Sequence, residues 1–255
     1  MSMTFEDAPL HFGTCHAGQT LHWLPTDTEE SYKKLIQHPG HLEYFRKMGW
    51  DQPNAITYRI NRYGYRADEF DGDPCVVALG CSYTLGIGLP DEVTWPRQIA
   101  TRLGLKCANL AWGGYSADSC YRMAEYWVPK LNPKYVCMLV PLKFRIELLL
   151  DPDTKTQLPL EVFMPQCQDS LFADNDAFLK HWFLNEQNAE INQRKNVQAI
   201  QYLCAKLGIP CVVLYAEQYM TWSREEIGYA RDYMHGGPKI HNLIVEKMLQ
   251  EIECP

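Results

Sequence analysis

From residue 75 onward the chain alternates short apolar runs with amphipathic stretches. CVVALG (75–80), KCANLA (106–111), KYVCMLV (134–140) and IPCVVLYA (209–216) are apolar runs of strand length, the pattern of strands buried on both faces. TWPRQIATRLG (94–104) and ADSCYRMAEYWV (117–128) carry helical periodicity between them. Gly104 closes the first of these helices, and Ser116 caps the second, which stops before Asn132-Pro133. A polar, proline-containing segment at about 150–172 reads as a loop insertion over one edge. A long helix spans roughly 174–207, closed by Gly208, and PKIHNLIVEKMLQEIE (238–253) is a terminal helix with Pro238 near its first turn. Strands alternating with helices predict the α/β class: a three-layer α/β/α sandwich around a mainly parallel central sheet.

Residues 1–70 are different. They are aromatic and irregular, broken by HPGH, DQPN and RYGYR, and read as an N-terminal extension packed on a main domain at 71–255. AITYRINRYGYRADEF (55–70) alternates like a short hairpin or edge strand with a turn at Asn61–Gly64.

Composition narrows the function. The net charge is −7, from 24 basic and 31 acidic side chains, with no Lys/Arg run. Phosphate-led nucleic-acid binding and a polybasic membrane patch are therefore not expected. No stretch approaches the roughly 18 apolar residues that span a bilayer. MSMTFEDAPLHFG carries acids, lacks a basic n-region, and is not expected to be a secretory signal. Cys75, Cys107, Cys137 and Cys211 lie in or beside apolar runs and are expected to be small buried hydrophobes in a reducing, cytoplasmic setting. The histidines of HFGTCHAGQTLHW fit no standard zinc spacing and have no CxxC partner.

The strand CVVAL runs into GCSYTLGIG (80–88). A phosphate loop needs a lysine after its second glycine, and none is present. A dinucleotide fingerprint should open a helix, but Gly86-Ile-Gly88 runs into Leu-Pro-Asp. In a G-x-S-x-G elbow the second glycine would stand where Thr84 does. What remains is a serine on a tight turn at the carboxyl end of a strand, where parallel α/β sheets place their ligands. Such a serine either caps its own turn or presents its hydroxyl and N–H to an acyl group. Cys81 beside it is expected to point into the sheet packing.

Two further stretches bear on the choice. ANLAWGGYSADS (108–119) puts a glycine pair after the second strand, and ARDYMHGGPKIH (230–241) puts Asp232 three residues before His235. A nucleophilic serine needs a base, and the base needs a partner that fixes its tautomer. His241, farther along, is expected to be a surface or packing histidine.

Taken in order, Gly80-Cys81-Ser82, Gly114 in NLAWGG and the Asp232-x-x-His235 block resemble the SGNH (GDSL-like) hydrolase family from about residue 75 to the C-terminus. The resemblance implies a flavodoxin-like fold and hydrolysis of a short acyl ester such as acetyl. Ser82 would be the nucleophile, His235 the base and Asp232 its orienter, with an oxyanion hole from the N–H groups of Ser82 and Gly114. The substrate would be a small-molecule or carbohydrate ester, with no metal, organic cofactor, nucleic acid or membrane involved. One block departs: the family carries an oxyanion asparagine after the third strand, where this chain reads VPLKFRIE (140–147). Either Lys143 or Arg145 replaces it (Arg145 is preferred for its planar fork), or the hole has two donors, or the chemistry differs. A catalytically silent binding protein and an acyltransferase using the same serine are the alternatives.

Overall fold

The computed structural model describes residues 8–149, 160–163, 185–220 and 228–253. In the N-terminal part, β1 (Thr20–Leu21) precedes two helices, α1 (Glu29–Leu35) and α2 (Pro39–Met48). Thr28 caps α1 by accepting the Ser31 N–H, and the acids of its first turn and lysines of its last turn suit the helix dipole. Proline opens α2 and Gly49 ends it. β2 (Tyr58–Arg59) then pairs antiparallel with β1.

The edge strand expected in AITYRI thus exists, but its partner is Thr20–Leu21. The turn at Asn61–Gly64 also forms, closed by Gly64 N–H on the Asn61 carbonyl at 3.0 Å. No returning strand follows it: the Asn61 N–H donates to the Tyr65 carbonyl at 2.7 Å, and the next residue, Arg66, is buried.

The central sheet is parallel, with spatial order β4-β3-β5-β8. Its strands are β3 (Cys75–Leu79), β4 (Lys106–Asn109), β5 (Tyr135–Val140) and β8 (Cys211–Tyr215). Between β5 and β8, β6 (Ile146–Leu149) and β7 (Leu160–Phe163) pair antiparallel. The rest of the loop expected at 150–172, and the helical turns expected at 174–184, lie outside the described residues.

The helices that follow are α3 (Ser82–Leu85), α4 (Trp95–Leu103), α5 (Ala117–Leu131), α6 (Glu186–Leu207), α7 (Glu217–Met220) and α8 (Pro238–Glu253). Helix α4 packs on α8, and α5 packs on α6, so a helix layer covers each face of the sheet. Every residue of β3 is buried, which is why it reads as an unbroken apolar run. Left-handed Gly104 and Gly208 end α4 and α6, as expected.

The N-terminal part shares the core of the sheet. Leu24, Tyr32, Phe45, Trp50, Ile56 and Tyr58 belong to the same buried cluster as Val76–Leu79. Phe70 packs edge-on against Trp127 of α5 at 4.9 Å, and Trp127 Nε1–H donates to the Tyr65 hydroxyl at 2.9 Å. Aromatic side chains of this size bury about 150–250 Å² each, so residues 8–70 contribute much of the interior. Among the described residues, no helix is long and apolar enough to cross a membrane.

Candidate active site

The turn after β3 is made by close packing. A Cβ on Gly80 would sit 2.0 Å from Thr84 Oγ1 and 2.9 Å from the Leu139 carbonyl on the neighbouring strand, so no side chain fits. The chain turns there and Ser82 opens α3, whose first turn closes through the Thr84 and Leu85 N–H groups on the Cys81 carbonyl. Left-handed Gly86 ends it. Gly88 has a different task. Its Cβ would lie 2.9 Å from the Arg231 nitrogen and 3.1 Å from that of Asp232, so its bare backbone lets a second loop press against the first.

That second loop carries the other two residues. The Arg231 N–H donates to the Gly88 carbonyl at 2.8 Å, and the Ala230 N–H to the His235 carbonyl at 3.0 Å. Asp232 Oδ1 accepts the N–H groups of Met234 and His235, both at 3.0 Å, with Tyr233 next to Asp232 in the left-handed region at φ 57°. His235 Nδ1 is 2.6 Å from Asp232 Oδ2, and Nε2 is 2.7 Å from Ser82 Oγ. A carboxylate only accepts, so Nδ1 carries the proton and Nε2 is left to accept from the serine hydroxyl. Burial pushes the Asp232 carboxyl up, but hydrogen bonds from His235 and Thr26 and the histidine's charge outweigh it and hold it below its ordinary value.

Ser82, His235 and Asp232 form one hydrogen-bonded line. No protein-family model matches the sequence, and no curated protein matches it. Among solved structures, the chain is similar to the psychrotrophic esterase EstA from Pseudoalteromonas sp., at 11% identity and TM-score 0.44, covering 71% of this chain and 98% of that one. It is similar to TesA at 12% identity and TM-score 0.45, with the same coverage. A GDSL-like lipase from Bacteroides thetaiotaomicron matches at 13% identity and TM-score 0.31, covering 69% of this chain and 86% of that one. These likenesses are distant, and the chemistry rests on the site's own geometry.

Gly114 follows β4 with φ 84°. Its neighbour Gly113 faces the Ser82 turn, since a Cβ there would meet Ile87 Cδ1 at 3.4 Å. Asn109, at the end of β4, ties the two turns together by donating from Nδ2 to the Thr84 carbonyl at 2.9 Å. Among the described residues, the Ser82 and Gly114 N–H groups have no protein acceptor.

The two cations of the third block have other partners. Lys143 Nζ lies 2.7 Å from Glu186 and 3.0 Å from Glu190 on α6, and these carboxylates take up the charge expected at the oxyanion. Arg145 Nη1 donates to the Tyr115 carbonyl at 3.3 Å, beside Gly114. Glu147 is held by Arg122 at 2.6 Å. Arg145 is thus bonded to the glycine loop's backbone.

Several residues touching the site gave no signal in the sequence. Thr26 Oγ1 donates to Asp232 Oδ2 at 2.7 Å. Next to it, Asp27 makes a fully buried ion pair with Arg231, at 2.9 Å to Nε and 2.7 Å to Nη2. Tyr58 donates to Asp27 and accepts the Gly88 N–H at 2.8 Å. Arg66, also buried, donates to the carbonyls of Leu85, Gly86 and Leu89 and so holds the end of α3. Only Arg231, a lone cation beside Asp232 in a glycine-rich stretch, could have drawn notice.

The remaining candidates are structural. His241 Nδ1 accepts the Trp95 N–H at 3.0 Å inside the core. His11 accepts the Gly13 N–H on Nδ1 and reaches the Tyr63 carbonyl through Nε2. Cys81 is buried. A cleft of about 390 Å³ opens between Asp68, Cys75 and Lys106, at the amino ends of β3 and β4. It contains none of the three aligned residues, which sit at the opposite, carboxyl end of the sheet.

Proposed function

We propose that the protein is a serine hydrolase of the SGNH (GDSL-like) type that hydrolyses a short acyl ester, acetyl foremost, on a small molecule or carbohydrate. The observation that carries this reading is the hydrogen-bonded line Ser82–His235–Asp232. In the first step Ser82 Oγ attacks the ester carbonyl carbon while His235 Nε2 takes the hydroxyl proton. The negative oxygen of the tetrahedral intermediate is met by the N–H groups of Ser82 and Gly114. Asp232 stabilises the imidazolium, which then protonates the departing alkoxide. Water, deprotonated by the same nitrogen, attacks the acyl-serine, and the imidazolium returns that proton to Ser82 Oγ as the C–Oγ bond breaks and the acid departs. Arg145, bonded to Tyr115, braces the loop that carries Gly114, and the hole has two N–H donors.

The block without asparagine favours a second reading, a silent binding protein on the same fold. A fluorophosphonate probe separates the two. The hydrolase is labelled at Ser82 and cleaves p-nitrophenyl acetate faster than longer acyl esters. Ser82→Ala loses both, by about 10⁴-fold or more in turnover, with unchanged circular dichroism, and His235→Ala approaches it. A wild-type protein that is neither labelled nor active would be the silent binder.

A further inference from the structure

Thr26 sits in a turn closed by the Leu24 N–H on the Asp27 carbonyl at 3.1 Å, in a conformation that its side chain disfavours. Its φ is 75°, in the left-handed region where a β-branched residue is a genuine outlier and glycine or asparagine sits far more easily. Residues kept in such conformations cluster at active sites, ligand clamps and switch regions. In ordinary turns a threonine hydroxyl bonds its own backbone nearby. Here it reaches to Asp232, 206 residues away in the chain, and donates to Oδ2 at 2.7 Å.

The oxygen it chooses matters. Asp232 Oδ2 also accepts the His235 Nδ1 proton at 2.6 Å, while Oδ1 is filled by the two loop N–H groups. Among the described residues, the loop therefore supplies every donor to this carboxylate except one, and Thr26 supplies that one from the N-terminal part. Its base is fixed. Asp27 is locked to Arg231 and Tyr58, all buried, so the hydroxyl is delivered at a set position. Arg231, the neighbouring cation, is turned to Asp27 and leaves Asp232 to these donors.

We infer that Thr26 is a positioning residue for the proposed hydrolytic site: it fixes the Asp232 carboxylate and shares Oδ2 with the His235 proton, so that Nε2 stays aimed at Ser82. The inference rests on the serine-hydrolase reading, and its test separates the two.

Thr26→Gly removes the hydroxyl and at the same time relieves the left-handed backbone. The expected result is a thermal midpoint equal to or above wild type together with a kcat lower by about tenfold, the worth of one hydrogen bond to a charged group. KM should stay within about twofold, because Thr26 meets no substrate. Thr26→Ser restores the donor and should return kcat to within about threefold of wild type. In proton NMR, the low-field resonance of the His235 Nδ1 proton should move downfield in Thr26→Gly, since Oδ2 with one donor fewer accepts more strongly. A Thr26→Gly protein with wild-type kcat and an unmoved proton overturns the inference. If Ser82 in the wild type is not labelled by the fluorophosphonate, the hydrolase reading falls, while the proton shift still decides whether Thr26 tunes Asp232.

Discussion

At the turn after β3, Ser82 is held by the absence of side chains; in the N-terminal part, the partner loop is held by side chains that are buried and charged. Gly80 and Gly88 act through backbone that comes too close for a Cβ, from Thr84 and Leu139 at the first and from Arg231 and Asp232 at the second. Asp27, Tyr58 and Arg66 act across long stretches of chain, through hydrogen bonds and an ion pair shielded from water. The two devices meet at Gly88, whose N–H goes to Tyr58 and whose carbonyl takes the Arg231 N–H. A reactive serine can be presented locally, but its base has to be brought from the far end of the chain, and that half of the task falls to long-range contacts.

The largest effect that would break this division comes from the buried pair. Arg231→Ala leaves Asp27 charged in the core without its cation, although Tyr58 still donates to it, and breaking a buried pair in this way costs about 3–5 kcal/mol. Urea unfolding should show that loss, and esterase activity should fall with it because Asp232 is the next residue. The double variant Asp27→Leu/Arg231→Met should recover part of the stability. It should not recover all, since Arg231 also donates to the carbonyls of His22 and Pro53. A single variant with wild-type stability would show that the N-terminal part is not held by this pair.

A smaller effect comes from the backbone side. Gly88→Ala forces a Cβ against the second loop at a φ of 74°, a strain of about 1–3 kcal/mol. The expected outcome is a modest drop in unfolding free energy with a larger relative drop in kcat, as the Asp232–His235 loop is pushed from Ser82. Equal losses of the two would mean that Gly88 serves only the fold.

The smallest effect at neutral pH sharpens the comparison under acid. Burial lowers His241 to about 3, helped by the charges of His235 and Arg66, and burial lowers His11 to about 4. Both start from an ordinary value of 6.5. Above that value both histidines are neutral in either state. Below it the unfolded chain takes protons that the folded one refuses, so stability falls as pH drops toward the folded values. His241→Asn keeps an acceptor for the Trp95 N–H and cannot titrate. Its unfolding free energy should match wild type at pH 7 and exceed it near pH 4.5. An unchanged difference between the two pH values would assign the acid sensitivity elsewhere.

What the sequence made legible was local. Apolar runs of strand length mark β3, β4, β5 and β8 where they occur, although β8 at the sheet edge is only partly buried. Ser82, Asp232 and His235 stood out because turn chemistry ties them to fixed spacings. Lys143 shows the limit: a cation after the third strand is visible, but the glutamates on α6 that claim it are more than forty positions away in sequence. Tyr58 read as part of an edge strand, and nothing near it indicated that β1 would be its partner or Asp27 its acceptor. Thr26 is the extreme case, an ordinary residue type in an extraordinary conformation, made useful only by a carboxylate in the last third of the chain.

Gly88 has one more consequence, for the timing of motions rather than for geometry. Its amide proton is covered by the Tyr58 hydroxyl, so solvent deuterium can replace it only when Tyr58 moves away. The Arg231 amide is covered in turn by the Gly88 carbonyl. Exchange at the first amide therefore counts departures of the N-terminal part, and exchange at the second counts departures of the base-bearing loop. If the two parts separate from the Ser82 turn as one cooperative unit, both amides exchange at a common rate, and an aromatic hydroxyl outside the hydrogen-bonded line would set how often the line comes apart.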